Sequence, residues 1–244
     1  MEYQVRTEED GRRIRDILRR SMEVSYSAMK SAKWDERILL NGMPVHTDAR
    51  VQAGDTVTFV PAEDKPVYTL KPYDIPLEIP YIDEHLMVIV KPSPLASQSS
   101  RNHPDDSLEN ALYSWFGCPE DFIFRPVNRL DKGTGGLMAV ARTPHIQHLM
   151  QRQLHEPDFI RRYLALTDGV PTEREGIIDL PIGKAPEASV RRIITPDGKR
   201  SVTRYRVLRE TEDGGALVLL ELETGRTHQI RVHLSAIGCP VHGD

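Results

Sequence analysis

Residues 125–142 read Arg-Pro-Val-Asn-Arg-Leu-Asp-Lys-Gly-Thr-Gly-Gly-Leu-Met-Ala-Val-Ala-Arg. The stretch from Leu137 to Ala141 is a short apolar run of the kind that forms a buried strand. Just before it, Gly133, Gly135 and Gly136 let the chain turn sharply and bring backbone close to a ligand. One carboxylate, Asp131, precedes that turn, and Arg129 stands two residues before it. The segment therefore predicts an acid fixed at the rim of a sheet, with a cation near enough to favour its ionised form. A surface loop with an ordinary Arg–Asp pair has the same local pattern and contributes little to stability. A phosphate-cradling loop does not fit, because no Lys-Ser/Thr ending follows the glycines.

Three further segments follow in order. They are Arg161-Arg162-Tyr163-Leu164-Ala165-Leu166, then Leu222-Glu223-Thr224-Gly225-Arg226-Thr227-His228-Gln229-Ile230-Arg231-Val232-His233-Leu234, then Gly238-Cys239-Pro240-Val241-His242-Gly243-Asp244. Together with residues 125–142 they resemble the ordered motifs of the RluA-type RNA pseudouridine synthases, and the resemblance covers essentially the whole chain.

The resemblance implies an α+β fold: a mixed, mostly antiparallel central sheet with flanking helices, preceded by a small α/β RNA-binding module. It implies isomerisation of specific uridines to pseudouridine in structured RNA, ribosomal or transfer, with neither cofactor nor metal. Asp131 would be the nucleophile, or the base that opens a glycal route. Tyr163 would offer a flat face to the uracil and a hydroxyl for proton transfer, and Arg231 would pair with the aspartate. At the substrate the resemblance places Arg129, in the space left by the extruded base, with Asn128, Arg226, His228 and Gln229, and with Leu164 or an aliphatic neighbour closing the pocket. The alternative is a non-catalytic RNA-binding protein that keeps the fold.

Upstream, residues 1–61 read as a separate module. Ile14, Ile17 and Leu18 recur at helical spacing and leave Arg12, Arg15 and Arg19 on another face. Ser25 or Ser27 would cap a second helix carrying Met29, Ala32 and Lys33. Asn41-Gly42 between apolar flanks is a hairpin signal, and Val51–Phe59 adds a turn and an alternating strand. This order resembles the RNA-binding module first seen in the fourth protein of the small ribosomal subunit. Its candidate RNA contacts are Arg12, Arg13, Arg15, Arg19, Lys30 and Lys33. Residues 62–76 are a proline-rich linker, since proline interrupts both helix and ladder, and 77–244 form the catalytic domain. There Ser107 would cap a helix, and Thr143-Pro144 would start one over His145–His155. Strands are expected around Phe159–Thr167, Ile177–Pro181, Val190–Thr195, Ser201–Arg209 and Ala216–Glu223.

A net charge of −4 over 244 residues argues against a uniformly basic RNA binder. Distribution matters more. One basic cluster spans Arg12–Arg37 and another Lys184–Arg209, while the acids gather elsewhere. RNA is therefore the expected partner, with no membrane and no obligate oligomer, so a monomer. No run reaches the length of a membrane span and no signal peptide begins the chain, so the cytoplasm is the expected compartment. Cys118 and Cys239 lie too far apart for a metal pair. His145 and His148 share a helix face but have no third ligand at a recognisable spacing.

The chain also departs from the family pattern. Asn128 stands where a histidine is usual, Gly135 replaces a common serine, and Ser93-Pro94-Leu95-Ala96-Ser97-Gln98 replaces a segment with a glycine and a later histidine. Asn128 can still donate and accept hydrogen bonds, so the loop geometry is expected to survive. Gly135 loosens the turn, and the changes bear on the support behind the loop and on substrate choice. Family members continue past the Gly-Asp step with a helix and further strands, so part of the C-terminal region is expected to be missing. Ile230, Leu234 and Ile237 would then lack cover, with lower thermal stability than an extended form.

Overall fold

The computed structural model describes residues 1–62, 66, 69–154, 156, 158–186 and 191–244. His155, Val190 and part of the proline-rich linker, each named in an expected element, lie outside the described residues. The chain forms two compact units, Met1–Gln151 and Arg152–Asp244.

The first unit begins with strand β1 (Glu2–Gln4). Helix α1 (Ile14–Asp16) then runs directly into a wider π-helical turn, Ile17–Ser21. Ile14, Ile17 and Leu18 are fully buried, as their spacing predicts. Helix α2 (Tyr26–Trp34) is capped by Ser25, whose hydroxyl accepts from the Ala28 N–H at 3.1 Å. Strands β2 (Ile38–Leu40) and β3 (Met43–Pro44) are joined by Asn41 and Gly42, with φ of 50° and 83°. Both positive angles are what a two-residue hairpin requires. Asn41 also ties this turn to the next, donating to Asp55 and accepting from the Thr56 N–H, both at 2.8 Å. Strand β4 (Thr56–Phe59) completes an antiparallel sheet in the order β1-β4-β2-β3.

Further along this unit, β5 (Glu78–Ile82), β6 (Leu86–Lys91) and β7 (Gly136–Ala141) pair antiparallel in that order. Helix α3 (Leu108–Trp115) starts at Ser107, which exchanges hydrogen bonds with Asn110 in a capping box. Helix α4 (Pro144–Gln153) starts where Thr143 accepts from the Ile146 N–H.

The second unit holds β8 (Arg161–Thr167), β9 (Glu175–Asp179), β10 (Ile182–Lys184), β11 (Arg192–Ile194), β12 (Val202–Glu210) and β13 (Ala216–Leu222). Four of these form an antiparallel sheet in the order β8-β13-β12-β9, and β10-β11 is a separate hairpin. The short β10 was not among the sequence expectations. Three residues are too few to show a period. Helix α5 (Gln229–Ala236) packs its Leu234 into the core of Val207, Ala216, Val218 and Leu220. Leu234 is fully buried, contrary to the expected loss of cover, and Ile230 and Ile237 are partly buried against the same cluster. The α+β class expected from sequence is the one observed. No helix among the described residues is long and apolar enough to cross a membrane.

Candidate active site

Asp131 sits in a turn closed by the Thr134 N–H donating to its carbonyl at 3.0 Å. The residues on both sides are pinned from beneath. The Ser97 hydroxyl accepts from the Leu130 N–H and donates to the Leu130 carbonyl. The Leu95 N–H donates to the Lys132 carbonyl at 3.0 Å, and the Ser93 hydroxyl to that of Gly133 at 2.9 Å. Asn128 accepts from the Ala139 N–H at 2.9 Å, tying the segment before the loop to β7. The loop leads into β7 through Gly136, at φ 128°, a region closed to most side chains. The replaced 93–98 segment bears on that support as expected, and its two serines are the braces, because short hydroxyls can both donate and accept against main chain.

Behind this loop lies Lys91, 0 % exposed at the end of β6. Its ammonium donates to the carbonyls of Leu95 (2.6 Å), Pro92 (3.0 Å) and Lys132 (3.3 Å). Burial pulls its pKa down to about 8, against the opposing pull of the Asp131 charge. Sequence reasoning gave Arg129 and Arg231 as the cations for Asp131 and missed this lysine. The available signal was its register: in β6 the buried positions alternate Met87, Ile89, Lys91, and a lysine at an inward position needs partners. Arg129 itself is exposed.

In the second unit, β8 alternates strictly, so Tyr163 and Leu164 occupy opposite faces. Tyr163 packs against the core under α5, whereas Leu164 is 63 % exposed on the other face. The structure therefore does not bring together these two residues, both expected at one pocket.

Helix α5 is gripped by two side chains one turn apart. Gln229 is 2 % exposed. Its carbonyl oxygen accepts from the Thr224 hydroxyl and the Arg226 N–H, both at 2.9 Å, and its amide nitrogen donates to the Val202 carbonyl and the Thr203 hydroxyl, both at 3.0 Å. All four of its hydrogen-bonding positions are thus taken by protein. Although expected at the substrate, Gln229 stands as a brace. His233, fully buried, bonds the Leu180 carbonyl through Nε2 (3.0 Å) and the Thr203 hydroxyl through Nδ1 (2.9 Å). A carbonyl can only accept, so Nε2 carries the proton and Nδ1 is the acceptor. Residues 229 and 233 face inward and 231, some 200° around the helix from 229, faces outward. Arg231 forks onto the Asp244 carboxylate through Nε, at 2.7 and 2.8 Å, and through Nη2. It borders an open cavity of about 510 Å³ that Arg191, Arg192 and His228 also line. His228 caps α5 in the left-handed conformation, φ 58°, and Arg226 is exposed, with Nε donating to the Arg200 carbonyl.

This network predicts an acid limb in stability. Burial holds the His233 pKa below its ordinary 6.5, with the Leu180 contact opposing. The unfolded chain then takes up a proton first as pH falls below 6.5, so the contribution of His233 is whole above that value and lost beneath it. Thermal melts between pH 7.5 and 5 should fall less steeply for His233→Gln than for the parent. Parallel slopes would remove His233 as the cause.

Residues 85–236 match the family model described as RNA pseudouridylate synthase. This chain belongs to that family. The synthase is 36 % identical over 208 residues to the uncharacterized RNA pseudouridine synthase YjbO of Bacillus subtilis, covering 84 % of this chain and 72 % of that one. It is also 36 % identical over 225 residues to ribosomal large subunit pseudouridine synthase D of Escherichia coli K12, covering 90 % and 68 %. Among solved structures it resembles human RNA pseudouridylate synthase domain containing 1, with a TM-score of 0.59 and 30 % identity over 72 % of this chain and 71 % of that one. The protein is therefore an RNA pseudouridine synthase, and the non-catalytic alternative gives way. In this synthase the matched stretch contains Asp131, Tyr163 and Arg231 and begins beyond the basic N-terminal residues. Of those, Arg12, Arg15, Arg19, Lys30 and Lys33 are exposed, while Arg13 is half-buried and shares Asp48 with Arg15.

Proposed function

We propose that the synthase modifies uridines in structured RNA, ribosomal RNA foremost and transfer RNA second, as a cytoplasmic monomer needing neither metal nor redox cofactor. In the reaction the N1–C1′ bond of uridine breaks, the base turns, and a C5–C1′ bond forms. The C5 hydrogen leaves as a proton and N1 gains one. Asp131 supplies the carboxylate, either attacking the sugar or removing its 2′ proton. Tyr163 bears on the uracil and Arg231 orients the carboxylate. The two-pronged hold of Arg231 on Asp244 is the geometry a guanidinium offers any carboxylate. Arg129, Asn128, Arg226 and His228 are assigned to the substrate region.

Residues 1–61 act as an RNA-binding module of the small-subunit type, followed by the linker 62–76 and the catalytic domain 77–244. The observation that carries the reading is the Asp131 turn, braced on both sides within a chain of this family. Ribosomal RNA is favoured because relatives at 36 % identity are named for the large ribosomal subunit. Transcripts of ribosomal and transfer RNA tritiated at uridine C5 test it. Tritium release from ribosomal transcripts is the expected result. Release from transfer RNA alone would move the substrate class, and none from either would overturn the reading.

A further inference from the structure

Helix α2 shows two opposite faces. Ala28, Met29 and Ala32 pack into the core of the N-terminal sheet. Tyr26, Lys30, Lys33 and Trp34 fall within about 100° of arc on the other side. The two aromatics there are among the most exposed large side chains in the molecule, Trp34 at 75 % and Tyr26 at 66 %. Leaving two rings in water has a cost that burial would remove, so their exposure points to a partner.

The charge around them says which partner. Residues 11–50 carry nine Lys and Arg against five Asp and Glu, a net charge of +4 in a chain of −4. Helix α2 itself contains no acid. The nearest downstream carboxylate, Asp35, is held by Arg37, with bonds of 2.7 and 3.2 Å. The Lys33 ammonium lies 5.8 Å from the Trp34 ring centroid. Flat faces alternating with lysines on one helix suit a strand whose bases are unpaired and whose phosphates run alongside. A duplex presents phosphates but hides its base faces, so it would use the lysines and leave the rings idle.

We propose that Tyr26 and Trp34 form a stacking platform for unpaired bases of the RNA substrate, with Lys30 and Lys33 contacting the phosphates between them. This deepens the assignment of the module and rests on that reading. It gives the enzyme a preference for RNA with a single-stranded stretch within reach of the module.

The sequence holds two tryptophans, so Trp115→Phe leaves Trp34 as the only reporter in the full-length protein. An octamer of uridine should quench its fluorescence, and an RNA duplex of equal length should not. By anisotropy of labelled RNA, the double variant Tyr26→Ala, Trp34→Ala should bind the octamer at least about 25-fold more weakly, at the lower end of what two stacked bases contribute. Duplex binding should be unchanged, and Trp34→Phe should restore most of the affinity. Equal quenching by duplex, or unchanged octamer affinity in the double variant, overturns the platform while leaving the module as an RNA binder. Lys30→Glu with Lys33→Glu separates the two readings. If the parent binds neither RNA and these charge reversals change nothing, the module assignment falls and the platform with it. Concentration-dependent self-association of the parent that Trp34→Ala abolishes would show that the face is covered by a second copy, and would equally overturn the proposal.

Discussion

Asp131→Asn should reduce tritium release from C5-labelled RNA by at least about 10⁴-fold while leaving the melting temperature almost unchanged. The size follows from the role assigned to the carboxylate. An amide neither attacks the sugar nor accepts a proton at neutral pH, and losing a nucleophile or its base costs several orders of magnitude in kcat. The unchanged stability follows from how the turn is held. Its bonds run through the main chain of Leu130, Lys132 and Gly133 to Ser97, Leu95 and Ser93, and asparagine has nearly the shape of aspartate. Circular dichroism and a melt on the same preparation would establish that the fold survives. More than about one part in a hundred of the parent rate in a folded Asp131→Asn protein would remove Asp131 from the chemistry.

Lys91→Met should be the most destabilising single change in the loop support, by about 2–4 kcal/mol. Methionine fills the space and spares the cost of burying an ammonium. It leaves the buried Leu95 carbonyl without this donor, which costs about 1–3 kcal/mol, and the part-buried Pro92 carbonyl loses it at a smaller cost. The Lys132 carbonyl keeps its bond from the Leu95 N–H, which limits the total. For a chain of this size the drop corresponds to a melting temperature lower by on the order of 10 °C. A change under about 2 °C would mean the ammonium is not the keystone of the 93–97 segment.

The pH behaviour of the parent offers a second check on Lys91. With its pKa near 8, it is charged at pH 7. The folded pKa lies below the ordinary 10.5, so between those values the unfolded chain holds the extra proton and the contribution to stability rises with pH. Over the same window the cation that senses Asp131 disappears. Activity should therefore fall above about pH 8 while the Lys91 contribution to stability improves, a divergence that general alkaline unfolding would not produce.

The strands, helix caps and hairpin turns were legible in the sequence because they depend on neighbours in the chain. Ser25, Ser107 and Thr143 cap helices, and Asn41-Gly42 turns a hairpin, for reasons contained within a few residues. The turn that carries Asp131 was legible for the same kind of reason: a carboxylate before a glycine turn and an apolar run is a local pattern. The outcomes at Leu164, Gln229 and Lys91 were not. Leu164 follows Tyr163 in a motif, but motif spacing says nothing about the pleat that sends the two to opposite faces. Gln229 carries a polar amide that sequence reads as available to substrate. Only the packing of α5 on β12 shows that Val202, Thr203, Thr224 and Arg226 occupy it fully.

What the sequence determined by itself is therefore the family, the α+β class and the order of most elements, since each is written in short-range patterns and in their succession. What the tertiary structure decided is which polar groups are taken up by the scaffold. Thr203 meets His233 across 30 residues, and Lys91 meets the Lys132 carbonyl across 41. A buried hydrogen-bonding group must be satisfied wherever a partner is found, and the identity of that partner is fixed by how distant segments pack, which no local pattern encodes.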